Sequence, residues 1–244
     1  MRLLDSAAAP GSTLEGGAKP GAGDDRYAFD EAAGWAVVID GATDVGEIRL
    51  YPHAESDAAW FAQLLADMCL AHPARSGEGA PAYFDRLLPL VGRKAREEAR
   101  FDLATAPRSS WPTAAATWVR VADGKVEAAT LGDTLALLST PDGRVEALGE
   151  PAKPAEEEVR ARQAMGLSAP ERMDWLHKVR AIHNTPAGYW VVGVESEASR
   201  HVLHQRATAP AGSRLLLTTD GFYRLVSPYG VYTEAELMAA AIGR

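Results

Sequence analysis

The sequence predicts a single domain of the α+β class, in which helices are segregated from mostly antiparallel strands. The predicted order is a strand, two consecutive helices, a strand meander, a helical insertion, more strands and a last helix. Short turn signals join the strands of the meander, as in antiparallel sheets. No internal repeat and no clear linker divides the chain, so we expect one domain over residues 1–244.

The N-terminal part contains the first strand and both consecutive helices. Residues 5–23 are rich in Ala, Gly, Ser and Pro without a sustained apolar period, which predicts either a mobile entry segment, with 1–18 mobile, or a first edge strand. Trp35–Ile39 is a continuous apolar run, typical of a strand buried on both faces. Apolar residues then recur at helical spacing twice, which predicts helices over 57–71 and 82–100 on one outer face of the sheet. The two apolar stripes are Phe61, Leu64, Leu65 and Met68, and Phe84, Leu87, Leu88 and Val91.

The central and C-terminal parts are dominated by strands. Two extended segments, 114–121 and 125–138, are separated by the hairpin signal Ala122-Asp123-Gly124. A second turn at Pro141-Asp142-Gly143 leads into a strand over 145–148. Residues 150–182 are polar and helical in pattern, which indicates an inserted helical flap. Three further strands and a final helix follow, predicted at 189–192, 202–205, 214–218 and 234–242.

Charge and cysteine content exclude several classes of protein. The 25 basic and 33 acidic side chains give a net charge of −8, which disfavours non-specific binding to a nucleic-acid backbone. No apolar stretch approaches the ~20 residues that span a bilayer. The single cysteine, Cys69, precludes an intramolecular disulfide and is expected to be buried in an apolar run. A cytoplasmic location is therefore the default expectation.

Acidic residues are concentrated where apolar strands end. Asp40 and Asp220 each end a strand and precede a glycine, and Asp133 lies between Gly132 and Thr134. Carboxylates at such positions are poorly solvated, and several of them together require cations, with oxygen ligands favouring Mg²⁺ or Mn²⁺. The alternative is turn chemistry, since Asp-Gly is also a common hairpin signal. Both interpretations stay open at this point.

Five segments in their order along the chain resemble the metal-dependent protein phosphatase 2C (PPM-type) serine/threonine phosphatases. The segments, within about residues 19–227, are Gly23–Arg26, Val38–Gly41, Pro112–Ala115, Leu131–Thr134 and Leu216–Gly221. The resemblance implies a four-layer α-β-β-α sandwich with two antiparallel sheets. It also implies a phosphoprotein substrate and two or three Mg²⁺ or Mn²⁺ ions.

The resemblance further implies a role for each matching residue. The implied metal ligands are Asp24, Asp40, the carbonyl of Gly41, Asp133 and Asp220. Asp40 would bridge two ions, Asp25 would hold metal-bound water, and a bridging hydroxide would attack phosphorus without a phospho-enzyme. Asp133 would lie near a weaker third ion. Lys19 is the nearest candidate for the phosphate-binding cation of the family.

The sequence also departs from the family pattern. A late Asp-Asp or Asp-Asn pair is absent before Arg244, so we expect the last strand and its ligand to be missing and metal binding to be weak. Ala42 stands where some members have a histidine, and Arg224 stands where many have an aspartate. These departures leave two alternatives to an enzyme: a weak or inactive domain that binds a phosphorylated partner as a sensor, and a structural or interaction domain.

Four other residues have a functional and a structural interpretation. Asp44 could lie close to the metal ions or belong to a turn or helix cap. His183 could act on the substrate side or be a structural loop residue. Thr113 is expected to be a strand residue packed near the site. Trp190 could form a platform for the substrate, but we expect it to belong to the core.

Overall fold

The computed structural model describes residues 1–2, 23–45, 48–150 and 166–242, and within them the chain forms nine strands and five α-helices. The strands are β1 (Asp25–Asp30), β2 (Trp35–Gly41), β3 (Thr113–Ala122), β4 (Lys125–Leu131), β5 (Leu135–Ser139), β6 (Val145–Gly149), β7 (Val192–Gly193), β8 (Leu203–Thr208) and β9 (Arg214–Thr218). The helices are α1 (Asp57–Ala71), α2 (Ala80–Glu98), α3 (Ala169–Ala181), α4 (Asp220–Tyr223) and α5 (Glu234–Ala241).

The strands form two antiparallel sheets that pack face to face. The six-stranded sheet has the order β1-β2-β3-β4-β8, with the short β7 pairing with β3, and the three-stranded sheet has the order β6-β5-β9. Helices α1 and α2 pack on the outer face of the larger sheet, and α5 packs on the smaller one. The α+β class and the two antiparallel sheets predicted from the sequence are confirmed.

Three apolar clusters hold the four layers together. Every second residue along β2 and β3 faces α1 and α2, as Ile39 and Trp118 do. Their neighbours, such as Val119 with Ala136 of β5, fill the space between the sheets. Leu137 of β5 packs with Leu237 of α5 in the outermost cluster. The helix stripes predicted from the sequence are therefore the faces that pack on the larger sheet.

Glu127 of β4 is a buried carboxylate between the larger sheet and α2. Its Oε1 accepts hydrogen bonds from the backbone N of Ala80 at 3.2 Å and from Arg206 Nη2 at 2.9 Å, and it lies 2.8 Å from His204 Nε2. Its Oε2 accepts a hydrogen bond from Arg120 Nη2 at 2.8 Å. Basic side chains and the first turn of α2 thus surround this carboxylate.

The predicted continuous strand over 125–138 is wrong. The chain leaves the larger sheet after Leu131 and enters the smaller one at Leu135, so β4 and β5 belong to different sheets. Gly132 makes this break with a φ of +85°, and a Cβ there would lie 2.4 Å from the Ala115 Cβ. Both sides of the break are apolar, so the hydrophobic pattern continues through it. The consequence is that Asp133 lies at an end of the sandwich, not within a strand.

Two expectations for buried strands need correction. β2 alternates between buried and partly buried residues, because one of its faces contacts the helices and the other faces the smaller sheet near its open end. Trp35–Ile39 and 215–219 are not neighbours in one sheet: β2 and β9 lie in opposite sheets and contact each other across the sandwich. Of the strand predicted at 189–192, only Val192 pairs, together with Gly193.

Parts of three predictions lie outside the described residues. They are most of the N-terminal segment 1–18, Lys19, and residues 151–165 of the flap. The described part of the flap contains α3, which begins with a capping box between Ser168 and Glu171. In the described part of the chain, no helix is both long and apolar enough to cross a membrane.

Candidate functional site

Strands β1 and β2 place two aspartates side by side. Asp25 is directly opposite Asp40 in the antiparallel register, so both side chains lie on the same face of the sheet. That face is turned toward the smaller sheet, because Ala36 lies on the same face of β2 as Asp40 and belongs to the cluster between the sheets. Asp40 is opposite Ala115 on its other side, where a small side chain leaves room.

The smaller sheet and the break after β4 bring two more carboxylates to the same end of the sandwich. Asp220 begins α4 directly after β9, and the preceding Thr219 donates from its Oγ1 to Asp25 Oδ2 at 3.2 Å. Asp220 raises the pKa of Asp40 through its charge and through a side-chain contact, and Asp133 raises it through its charge. Residues far apart in sequence thus meet because two facing strands end at the same place.

The proximity of these carboxylates changes their acidity. Burial raises the pKa of Asp40 well above its ordinary value, and the charges of Asp25, Asp220 and Asp133 raise it further. Burial also raises the pKa of Asp25, and the charges of Asp220 and Asp24 add to this, against hydrogen bonds from Thr219 and Asp40 that lower it. Asp40 is therefore the carboxylate of the cluster whose charge is most disfavoured when no cation is present.

Asp24 and Gly41 form the edge of the cluster next to α1. Ser56, the N-cap of α1, donates from Oγ to Asp24 Oδ1 at 2.5 Å, and its Oγ accepts from the backbone N of Ala59 at 2.8 Å. The backbone N of Gly41 donates to the Asp24 carbonyl at 3.2 Å. A Cβ at Gly41 would lie 2.6 Å from that carbonyl oxygen and 2.9 Å from the oxygen of Ala58, so only glycine fits.

Asp44 caps a helix instead of joining the cluster. Its two carboxylate oxygens accept hydrogen bonds from the backbone N of Asp57 and of Ala58, both at 2.9 Å. Arg49 lies 3.8 Å from the same carboxylate. The cap alternative is thus the one observed, and the loop after β2 is tied to the first turn of α1.

Two arginines lie beside the acidic cluster. Arg224 of the turn after α4 donates from Nη2 to Asp220 Oδ2 at 2.8 Å. Arg180 of α3 donates to the carbonyls of Ala42 and Thr43 and to the hydroxyl of Thr113. The chain therefore carries its own positive charge at a site whose other members are acidic.

The remaining candidates occupy structural positions. Thr113 is the first residue of β3 and is buried, as expected. His183 is buried with its ring packed edge-on against Tyr189 at 4.9 Å between centroids. Trp190 is partly buried against the helix-facing cluster and stacks on His201. Cys69 is buried, as predicted, and burial raises the pKa of its thiol to about 12, so it is unreactive.

The cluster suits a divalent cation in donor type and in charge. All its side-chain donors are carboxylate oxygens, the ligands that Mg²⁺ and Mn²⁺ prefer. Within 23–45, 48–150 and 166–242, no three acidic, histidine or cysteine side chains are already arranged around a common point as a ligand set. The carboxylates instead repel one another, and Asp220 is paired with Arg224. A cation would relieve this repulsion and replace the guanidinium at Asp220.

Sequence reasoning found the acidic residues but not what holds them. No role at the site was expected for Ser56, Thr219 or Arg180. The hydroxyl before the Asp-Gly pair and the N-cap serine are common features, so neither signals a contact with a distant strand. Arg180 lies in the flap, whose position over the site is set by tertiary packing.

Comparison with known proteins gives a family and a fold. The family model "Protein phosphatase 2C" matches residues 22–241. The serine/threonine phosphatase PstP/Ppp of Mycobacterium tuberculosis is 14% identical, with a TM-score of 0.54 over 90% of this chain and 83% of that one. PppA of Pseudomonas aeruginosa, described as a regulatory component of T6SS, is 18% identical, with a TM-score of 0.54 over 90% and 82%.

A second structure of the PstP catalytic domain contains two manganese ions. It is 15% identical to this chain, with a TM-score of 0.52 over 90% of this chain and 82% of that one. Among curated protein sequences, none matches this chain.

Proposed function

Because the chain belongs to the protein phosphatase 2C family, we propose that it hydrolyses phosphoserine and phosphothreonine in phosphoproteins with the help of Mg²⁺ or Mn²⁺. One observation carries the proposal: the carboxylates of Asp25, Asp40 and Asp220 meet at one end of the sandwich, where burial and like charge raise the pKa of Asp25 and Asp40, and Thr219 Oγ1 donates to Asp25. A buried cluster of like charges is unfavourable unless a cation neutralises it.

The family resemblance gives each residue a proposed role. Asp40 and Asp220 would hold the first cation, Asp40 and Asp24 would hold the second, and the carbonyl of Gly41 would bind one of the two. Asp133 would contribute to a third position at the margin. Two manganese ions in the PstP catalytic domain support a cation pair here. We also propose that Lys19 is the cationic side chain that binds the phosphate group. A cytoplasmic location likewise stays a prediction.

The chemistry divides between cations and protein. Bound cations neutralise the phosphate and lower the pKa of the attacking water. Asp25, held by Thr219, would orient that water and accept a hydrogen bond from it. Attack on phosphorus in line with the seryl or threonyl oxygen breaks the P–O bond, releasing inorganic phosphate and the free hydroxyl side chain. No covalent bond to the protein is needed.

The contact between Arg224 and Asp220 favours a second candidate function. The guanidinium occupies an oxygen that a cation would need. A protein in which this contact persists would bind a phosphorylated partner without hydrolysing it, as a sensor. The same substrates therefore have to be tested for binding as well as for turnover.

The test is hydrolysis of an aryl phosphate and of phosphoserine and phosphothreonine peptides, with Mn²⁺ and with chelator. We expect turnover only with Mn²⁺, and Asp40→Asn should lower it by roughly 10³-fold or more. Asp30→Asn is the matched control, because Asp30 lies at the far end of β1 and caps a turn through Ala33. Chelator-resistant turnover, or near-normal activity of Asp40→Asn, would refute the proposed mechanism. Peptide binding without turnover would establish the sensor instead.

A further inference from the structure

Helix α3 of the flap is joined to the loop that follows β2 by one side chain. Arg180, in its last turn, donates from Nη2 to the Thr43 carbonyl at 2.8 Å and from Nη1 to the Ala42 carbonyl at 3.3 Å. The same Nη1 lies 3.4 Å from Thr113 Oγ1, a longer contact. A planar guanidinium can serve acceptors on two different segments at once, which an ammonium group cannot do with the same geometry.

The loop that Arg180 contacts is continuous with two predicted metal ligands. Ala42 and Thr43 directly follow Asp40 and Gly41, and the backbone N of Ala42 donates to the Thr113 carbonyl at 2.9 Å. The loop then ends at Asp44, which is fixed to the first turn of α1. The path of the backbone after Asp40 is therefore set by Arg180, β3 and α1 together.

The first turn of α1 extends this set of contacts to a third predicted ligand. Asp44 accepts from the backbone N of Asp57 and Ala58, and the N-cap Ser56 donates to Asp24. Helix α3 has its own second anchor, since His177 Nδ1 lies 3.1 Å from Ser109 Oγ. A displacement of α3 would thus act on a connected, hydrogen-bonded assembly.

Arg180 forms these contacts with neutral acceptors, not with a carboxylate. Asp40, Asp44 and Asp24 act on it through space, as does Tyr189. Two effects on a cation at Asp40 then oppose each other. The positive charge of Arg180 repels the cation, whereas the hydrogen bonds hold the loop in the arrangement that binds it. Which effect is larger decides the sign of a substitution at this position.

We propose that Arg180 is a positioning residue that fixes residues 41–44 and thereby couples the docking of α3 to cation binding at Asp40 and Gly41. The inference rests on the proposed function, because it requires that this site binds a divalent cation. Coupling between two binding events is reciprocal. A cation that orders the loop must therefore also strengthen the contact between α3 and the rest of the domain.

The experiment is calorimetric titration of the full chain with Mn²⁺, together with hydrogen exchange of α3 with and without Mn²⁺. Four proteins are compared: the wild type, Arg180→Gln, Arg180→Lys and Lys178→Gln. Lys178 is exposed on the same helix, so its substitution removes the same charge without removing these contacts. Arg180→Lys keeps the charge but loses the forked geometry.

We expect Arg180→Gln to weaken Mn²⁺ binding about tenfold and Arg180→Lys to weaken it less. Lys178→Gln should bind like the wild type. Mn²⁺ should slow amide exchange over 169–181 in the wild type and in Lys178→Gln, and this protection should be lost in Arg180→Gln. A purely structural role would change stability in all conditions without making exchange of α3 depend on Mn²⁺.

The possible contrary results separate the two proposals. Equal or tighter Mn²⁺ binding by Arg180→Gln would overturn the positioning role, since charge repulsion would then dominate. Unchanged exchange of α3 in a wild type that binds Mn²⁺ would overturn the coupling. A wild type that binds no Mn²⁺ would overturn this inference and the proposed cation dependence together, whereas the other two results leave the proposed function intact.

Discussion

Glu127 and Asp40 are carboxylates on opposite faces of the same sheet, and their surroundings are opposite in charge. Glu127 faces α2 and is surrounded by Arg120, Arg206, His204 and a helix N-terminus. Asp40 faces the smaller sheet and its nearest charged neighbours are other aspartates. The first carboxylate is neutralised by the protein itself, and the second is left to be neutralised from outside.

The acidity of the two groups shows the same contrast. Burial alone would raise the pKa of Glu127, but hydrogen bonds from Ala80, Arg206 and His204 and the charge of Arg120 lower it overall. Burial raises the pKa of Asp40, and neighbouring carboxylates raise it further. Burial therefore does not distinguish a structural carboxylate from a functional one; the sign of the surrounding charge does.

The largest difference between the two carboxylates is expected when each is replaced by its neutral amide. Glu127→Gln leaves the part-buried guanidinium of Arg120 without its counter-charge and should lower the free energy of unfolding by about 3 kcal/mol. Asp40→Asn relieves repulsion and should raise the free energy of unfolding of the metal-free protein by roughly 1–2 kcal/mol. Urea unfolding in the presence of chelator measures both. Changes of the same sign in the two variants would contradict the comparison.

The next largest difference is expected in how the free energy of unfolding depends on pH. The raised pKa of Asp40 means that the folded state keeps its proton longer, so stability falls as pH rises from 3.8 through the folded pKa. The lowered pKa of Glu127 contributes stability above 4.5 that is lost as pH falls through the folded pKa. Each group changes stability by at most about 1.4 kcal/mol per pH unit.

Unfolding across this pH range tests both signs, again with chelator present. Asp40→Asn should reduce the loss of stability that occurs as pH rises above 3.8 and leave the loss at falling pH unchanged. Glu127→Gln should reduce the loss of stability that occurs as pH falls below 4.5 and leave the loss at rising pH unchanged. Saturating Mn²⁺ should act like Asp40→Asn in the wild type, because a bound cation also relieves the repulsion. If Asp40→Asn still loses stability as pH rises, that loss belongs to the titration of another group.

The smallest effect is expected from the ion pair between Arg224 and Asp220, in which an arginine pairs with a carboxylate as at the Glu127 site. The pair is half-exposed and therefore weak. Arg224→Gln frees Asp220 Oδ2 and should strengthen Mn²⁺ binding by up to about fivefold. Calorimetry measures this, with Arg144→Gln as control, since Arg144 pairs with Asp142 in an exposed turn. Weaker binding in Arg224→Gln would show that the guanidinium supports the site.

The sequence predicted local features better than the relation between the sheets. The helix stripes, the hairpin at Asp123-Gly124 and the clustering of acidic strand ends depend on local spacing or on the resemblance to a family. The transfer of the chain between sheets at Gly132 was missed, because the apolar pattern is the same on both sides. That β2 and β9 lie in opposite sheets depends on tertiary packing, which periodicity does not encode.

The supporting side chains of the site were missed for a related reason. Ser56, Thr219 and Arg180 are ordinary residues in their local context, as an N-cap, a strand end and a surface position of a polar helix. Each becomes specific only because a partner from a distant segment meets it. Carboxylates were recognisable from sequence because burying their charge is unusual, whereas hydroxyls and arginines have many uses.

The absence of room at Gly41 has an evolutionary consequence. A side chain there would collide with the backbone of both Asp24 and Ala58, whatever reaction the domain performs. Selection on the glycine is therefore expected from packing, and selection on the preceding aspartate only from the proposed cation chemistry. In a relative that has lost this chemistry, we expect Asp40 to be replaced while Gly41 persists. Gly41 would then report the fold alone, whereas Asp40 would report the proposed activity.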